Sequence, residues 1–119
     1  MRLDEIKVLS DFLIFQKENY PQEVALADPI GKDANKVWKE FSTEEIIESS
    51  YRLSSFLLRK GIKKGDKVGI IGANCSNWMI IDRAVIQIGA ILVPIYPTIN
   101  MLDLSYILMH SDISLIFTL

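Results

Sequence analysis

Residues 67–96 read KVGIIGANCSNWMIIDRAVIQIGAILVPIY, and the fold class turns on them. Val68 to Gly72 is a short apolar run without alternation, the pattern of a strand buried on both faces. Trp78, Ile81, Val85 and Ile88 then recur at spacings of three and four, which builds one apolar helix face, and Gly89 stops that helix. Ala90–Ile95 is again continuously apolar. Two unalternating strands joined by a helix of about ten to fifteen residues specify a parallel pair with a right-handed crossover. Downstream, Pro97–Asn100 reads as a loop with Asn100 as N-cap. Leu102, Tyr106 and Met109 give a further helical face, and Ser114–Phe117 begins a third buried strand. The unit is β-α-β-α-β and the class is α/β.

Working back toward the N-terminus, residues 42–45 (STEE) form a capping box: Ser42 accepts from the Glu45 amide while Glu45 reaches back to the Ser42 amide. The helix that follows carries Ile46, Ser50, Leu53 and Leu57 on one face and closes at Lys60-Gly61. Gly65-Asp66 is a turn into the first parallel strand. Before the capping box, Val24–Ala27 and Lys36–Phe41 read as two strands of a hairpin. Asp28–Gly31 is the turn and Lys32–Asn35 its extension. Leu3–Tyr20 carries Ile6, Leu9 and Leu13 at helical spacing and ends at Pro21. The expected organisation is a helix plus hairpin over 1–41, and a helix followed by the parallel unit over 42–119. Together they form an incomplete portion of one larger domain, because an apolar third strand at the chain's end would lack its cover.

Composition excludes several classes. Thirteen basic against 15 acidic residues give a net charge of −2, which argues against a nucleic-acid footprint and against a polybasic membrane anchor. One cysteine, Cys75, and one histidine, His110, leave neither a disulfide framework nor a Cys/His metal site. The acidic residues Asp4, Glu5 and Asp11 interrupt what would have to be a signal peptide's apolar core. A reducing cytoplasm is the expected compartment.

Little catalytic chemistry is visible. Residues 69–74 (GIIGAN) follow a strand but are neither G-x-G-x-x-G nor a P-loop, so Gly69 and Gly72 are read as permitting close packing and a turn. Ligands of such sheets bind at the strands' carboxyl ends, which draws attention to Asn74 and Pro97-Thr98. Asp82 lacks a second acid or a histidine nearby and reads as a helix carboxylate paired with Arg83 or Lys67. Cys75 lies near a helix N-terminus but has no base beside it, and His110 is a helix-end dipole partner. Trp38 and Trp78 are expected to pack, and Lys63-Lys64 to form a solvated turn. No catalytic, cofactor-binding or metal residue is assigned.

The order of residues is more telling than their chemistry. Trp38-x-x-Phe41-Ser42-x-x-Glu45 is followed by Leu57-x-x-x-Gly61-Ile62-x-x-Gly65-Asp66-x-Val68-Gly69-Ile70. Then come Asn74-x-x-x-Trp78-x-x-x-Asp82-x-Ala84, Gly89-Ala90-x-x-Val93-Pro94-x-Tyr96-x-Thr98 and Tyr106-Ile107-Leu108-x-x-Ser111. This pattern resembles the N-terminal part of the AMP-forming acyl-adenylate enzymes, from about Leu3 to the last residue. Val93–Thr98 (VPIYPT) is most similar to the long-chain fatty acid–CoA ligases. Cys75-Ser76 departs from the family, where Arg-Pro is common.

The resemblance implies part of the large N-terminal domain of an acyl-CoA synthetase-like ligase. Such a parent converts fatty acid, ATP and coenzyme A to acyl-CoA, AMP and pyrophosphate, with Mg²⁺. The family's phosphate loop, its adenine- and ribose-binding motifs and its catalytic lysine have no counterpart in these residues. The chain itself is therefore expected to hold no cofactor, to be inactive alone, and to have the remainder of the enzyme as its partner. The implied localisation is cytoplasmic, extending to peripheral membrane contact in the parent. Two further expectations stand: self-association of the chain, and, as the alternative function, a self-contained Rossmann-like or flavodoxin-like small-molecule binding module.

Overall fold

The computed structural model describes residues 1–31 and 37–119. Its centre is a three-stranded parallel sheet in the order β4-β3-β5, formed by β3 (Lys67–Ile71), β4 (Ile91–Ile95) and β5 (Ile113–Thr118). β3 is the middle strand, which is why its run is apolar on both faces: Val68 and Ile70 are fully buried and Gly69 is buried between them. Helix α3 (Ser76–Gln87) joins β3 to β4, and helix α4 (Met101–His110) joins β4 to β5. Because β4 and β5 lie on opposite sides of β3, two right-handed crossovers place α3 and α4 on opposite faces of the sheet.

One sheet face carries the core. Val68 and Ile70 gather Ile81, Ala84 and Val85 of α3, together with Leu57, Ile62 and Ala90. Leu92, Leu115, Phe117 and Trp78 pack against this cluster from its margin. Each fully buried aliphatic side chain here contributes about 1.5–3 kcal/mol. On the other face Gly69 lets β5 come close: a Cβ there would meet Ile113 Cδ1 and Ile116 Cγ1 at 3.2 Å each. At Gly72 a Cβ would lie 2.5 Å from the Leu119 Cβ. Close packing is thus the role of both glycines.

Helix α2 (Thr43–Arg59) lies along α3. Its capping box is present, with Ser42 Oγ accepting from the Glu45 amide at 3.1 Å and Glu45 Oε2 accepting from the Ser42 amide at 2.8 Å. Its C-terminus is a Schellman closure: the Gly61 amide donates to the Leu58 carbonyl and the Ile62 amide to the Leu57 carbonyl, with Gly61 at φ +89°. Ile62 then drops into the core beside Leu57. Helix α3 ends the same way, through Gly89 to Ile86 and Ala90 to Val85, with Gly89 at φ +76°. Lys63 and Lys64 form the exposed turn expected of them, and the Lys64 stem covers Gly89.

The N-terminal third departs from expectation. The helix read over Leu3–Tyr20 is broken into a 3-10 turn at Leu3–Glu5 and a helix α1 (Asp11–Asn19). Asp11 is responsible: its carboxylate accepts from the amides of Lys7 and Val8 at 2.9 and 3.0 Å, which restarts the helix there. No residue of α1 is buried, and Leu9 is 60% exposed, so the apolar spacing did not mark a core face. The hairpin pairs β1 (Leu26–Ile30) with β2 (Val37–Phe41), antiparallel, in the register Leu26↔Phe41 to Ile30↔Val37. The first strand therefore begins after Val24 and runs through Asp28-Pro29, which had read as the turn. In a two-stranded sheet each strand has a free edge, so a residue without an N–H is tolerated. The loop expected at Lys32–Asn35 lies outside the described residues, as does Lys36. Trp38 is 53% exposed and does not pack, unlike Trp78.

Two later expectations are also corrected. The face Leu102/Tyr106/Met109 of α4 points outward, while Leu104 and Ile107 are the partly covered residues. The helix is apolar on both sides, so periodicity cannot choose which side turns in. The third strand is not buried on both faces: Ile113, Leu115 and Phe117 are half-buried while Ser114, Ile116 and Thr118 are exposed. On β4, Ile91 is likewise exposed and Ile95 buried.

Ser42→Ala removes the cap of α2 and is expected to lower stability by about 1 kcal/mol. Gly61→Val forces a β-branched residue into a left-handed conformation and is expected to cost at least about 1–2 kcal/mol. Urea melts of both variants measure this, and unchanged midpoints would refute the assigned ends of α2.

Candidate functional site

The carboxyl ends of the parallel strands form a shallow cavity of about 200 Å³ lined by Gly72, Asn74, Trp78, Pro94, Ile95, Tyr96 and Pro97. Asn74 and Pro97, singled out from sequence, meet here, whereas Thr98 is not part of the lining. Trp78 comes from the first turn of α3 and Tyr96, 82% exposed, from the end of β4. No lining residue carries a charge. From Ala84 to Leu119 the sequence contains no Lys or Arg at all. The cavity can take up a small uncharged or planar group but has no cation to hold a phosphate.

A larger cleft of about 490 Å³ runs between α1 and the α2–α3 pair, lined by Leu13, Ile14, Tyr51, Leu58 and Ile88 among others. Of its polar residues, Ser50, Ser54 and Gln87 are already engaged, while Ser10, Tyr51 and Ser55 also line it. Ser50 Oγ donates to the Ile47 carbonyl and Ser54 Oγ to the Ala84 carbonyl, both at 2.8 Å. Gln87 Nε2 donates to the Ser50 carbonyl at 2.9 Å and to Ser54 Oγ. The Ser54 and Gln87 bonds lock α2 to α3.

The N-terminus of α3 shows what sequence reasoning missed. Asp28 Oδ1 accepts from the Ser76 amide at 2.8 Å and from Ser76 Oγ at 2.9 Å. A carboxylate borrowed from β1, distant in sequence, thus caps the helix and meets its positive end. Cys75 occupies the N-cap position, and its own side chain makes no capping bond. No local pattern could have revealed the Asp28 contact, because it depends on where the hairpin docks.

The remaining candidates are placed as follows. Asp82 makes no ion pair within 4 Å among the described residues, against the expected pairing with Arg83 or Lys67. The Arg83 guanidinium donates instead to the Leu9 carbonyl. Partial burial pushes the Asp82 carboxyl above its ordinary range, and Arg83 only partly offsets this. His110 ends α4 and stacks on Tyr106, ring centroids 5.4 Å apart and planes 8° from parallel.

Asp28→Ala is expected to destabilise the fold by about 1–2 kcal/mol, through loss of a helix cap that is also an inter-element tie. Asp82→Asn is expected to act oppositely. Because the native carboxyl holds its proton more tightly than the unfolded one, stability falls as pH rises above the ordinary value of 3.8, and the penalty is complete once the native carboxyl is ionised. The variant should therefore melt higher at pH 7 and match the parent at pH 3. An equal gain at both pH values would show that ionisation is not the cause.

Comparison with known proteins agrees with this geometry. The family model described as AMP-binding enzyme matches residues 15–119. Long chain acyl-CoA synthetase 5 of Arabidopsis thaliana is 31% identical over 118 residues, which covers 97% of this chain and 17% of that protein. Acyl-CoA ligase SID4 of Ajellomyces capsulatus is 40% identical over 73 residues, 61% of this chain and 12% of that protein. The crystal structure of fatty acid AMP ligase from Legionella pneumophila superposes with a TM-score of 0.83 at 18% identity, over 100% of this chain and 21% of that one. That likeness shows the fold, a parallel sheet and its helices from the N-terminal domain of adenylate-forming enzymes. The chain spans about a sixth of the length of the first of these relatives. It belongs to the AMP-binding enzyme family.

Proposed function

We propose that this chain is a scaffold segment of an ATP-dependent long-chain fatty acid–CoA ligase. The observation that carries the reading is the match to a long chain acyl-CoA synthetase over 97% of the chain. In the reaction so assigned, a fatty acid carboxylate attacks the α-phosphate of ATP and releases pyrophosphate. The thiol of coenzyme A then attacks the acyl carbon and expels AMP.

The first step brings an anion onto a polyanion and needs cationic stabilisation. The residues described here do not fit ATP and Mg²⁺: the cavity at the strand ends is uncharged, and no Lys or Arg occurs beyond Arg83. No step is routed through these residues. What they supply is a rigid layer, with β3 fixed between β4 and β5 and α3 locked to α2 by the Ser54–Ala84 and Gln87–Ser50 bonds. A cytoplasmic location with peripheral membrane contact accompanies this reading.

The chain alone is expected to show no palmitate-dependent ATP–pyrophosphate exchange, and exchange above background would overturn the scaffold assignment. A chimera tests the positive half. With this segment substituted for its counterpart in Long chain acyl-CoA synthetase 5, palmitoyl-CoA synthesis should persist within roughly tenfold of the parent, about 1.4 kcal/mol in transition-state stabilisation. A chimera that folds but makes no thioester would show that the segment carries catalytic groups.

A further inference from the structure

We infer that Asp28 is a positioning residue for the strand-end cavity: from the hairpin it fixes the first turn of α3, and with it the rim formed by Asn74 and Trp78. Helices α2, α3 and α4 differ at their starts. α2 caps itself with Ser42 and carries Glu44 and Glu45 in its first turn. α4 caps itself with Asn100, whose Oδ1 accepts from the Asp103 amide at 2.9 Å, and carries Asp103 in its first turn. α3 has neither device: Cys75 at its N-cap makes no side-chain cap bond, and its first turn holds no acid. The first amides of a helix have no partner within it, so an uncapped turn frays. Among the described residues it is Asp28 that supplies both the acceptor and the negative charge, through its bonds of 2.8 and 2.9 Å to the Ser76 amide and Oγ.

That turn is the one that lines the cavity. Ser76 lies two residues after Asn74 and two before Trp78, and both of these line the cavity at the strands' carboxyl ends. Ser76 is buried, so water competes little for the tie, and bonds to an ionised carboxylate are the strong ones. The reach of Asp28 follows from the alternation of its strand. Leu26 and Asp28 are the half-buried residues of β1, while Ala27 and Pro29 are exposed. Leu26 shares a small cavity with Met79 and Arg83, further along α3. One face of β1 therefore lies against α3 and brings its carboxylate to Ser76, so docking of the hairpin and order of the rim are coupled.

The coupling singles out the rim from the rest of the layer. Without Asp28, α2 and α4 keep their own caps and β3 keeps both neighbouring strands, but Asn74 and Trp78 lose their anchor. Acceptor geometry carries the tie: an asparagine at position 28 keeps a side-chain oxygen that can accept both bonds, and an alanine keeps none. On the ligase reading, on which only this step rests, the hairpin thereby sets the strand-end geometry of the parent enzyme.

Trp38→Phe leaves Trp78 as the one tryptophan of the 119-residue chain, and acrylamide quenching of its fluorescence reads the rim. In that background Asp28→Ala is expected to raise the quenching constant about twofold or more, while circular dichroism keeps its helix signal. Asp28→Asn is expected to restore the parent value, and Ser76→Ala, which retains the amide bond, to fall between. A Trp78 equally shielded in Asp28→Ala, despite a lower melting midpoint, would overturn the positioning and leave a structural cap only. An Asp28→Asn variant as open as Asp28→Ala would overturn it too. Should Asp28→Ala not fold, Ser76→Ala carries the test, and an unchanged quenching constant there would count against the proposal. The chimera with Long chain acyl-CoA synthetase 5 tests the reading beneath it. There Asp28→Ala is expected to lower kcat/KM for palmitoyl-CoA synthesis about threefold or more, with recovery in Asp28→Asn. A chimera indifferent to a substitution that opens Trp78 in the chain would overturn the rim's part in the ligase and leave the positioning standing.

Discussion

The structure depends on one strand being shut away from water on both of its faces. Val68 and Ile70 are fully buried, and Gly69 between them has no side chain, so the Ile113 and Ile116 side chains of the neighbouring β5 cover the opposite face, 3.2 Å from where a Cβ would stand. A strand so enclosed must have its amides and carbonyls paired on both edges. β4 does this in continuous parallel register from Lys67 to Ile71, and β5 does so with one shift between Lys67 and Val68 that passes over Ser114. Parallel pairing in turn demands long crossovers, and these are α3 and α4. The same burial explains why both turns feeding the sheet close on glycine. Gly61 and Gly89 reverse the chain at helix ends in the left-handed region, and each hands the next residue, Ile62 or Ala90, directly into the core. The two turns are tied together besides, Gly65 to the Gly89 carbonyl and Ile91 to the Asp66 carbonyl, so that β3 and β4 start in register.

Outside this centre the joins are polar and few. The α2–α3 contact needs the helices close, and small serines at 50 and 54 allow it while their hydroxyls and Gln87 satisfy the buried carbonyls. The hairpin is held to α3 by Asp28 on Ser76, and the segment before it to α2 by Gln22 with Thr43. Helix α1 is joined through the exposed Lys17–Glu44 pair and the Arg83–Leu9 bond, interactions worth little in water. Stability therefore falls off from the sheet toward the N-terminus, and local opening is expected to begin at α1.

This gradient also decides what the sequence made legible. Around β3 every local signal agrees with the tertiary result: apolar runs without alternation, a capping box at Ser42 and Glu45, glycines where chain reversal needs them, Asn100 as a cap. The order of elements and the parallel sheet could be read from these. Where burial is slight, periodicity loses its meaning. Leu9 and Leu13 have helical spacing, yet a single carboxylate at Asp11 outweighs it and breaks the helix. Asp28-Pro29 has the composition of a turn, but the free edge of a two-stranded sheet accepts it. In α4 both sides are apolar, so the orientation was open to either side. Of the site, Asn74 and Pro97 were found by a rule about strand ends. Asp28 was not, because a cap supplied across 48 positions of chain leaves no local trace.

The charge distribution gives the arrangement a functional direction. All 13 basic residues lie at or before Arg83, while the second half of the parallel unit, including the strand ends where a ligand of such a sheet would sit, has none. A reaction that drives a carboxylate onto a triphosphate cannot be stabilised by an uncharged rim of Asn74, Trp78, Tyr96 and prolines. What this part of the fold can do is hold strand ends at fixed positions. The absence of charge at these strand ends makes apolar contact, through the cavity and through the open face of α4, the chemistry that this half of the chain has to offer.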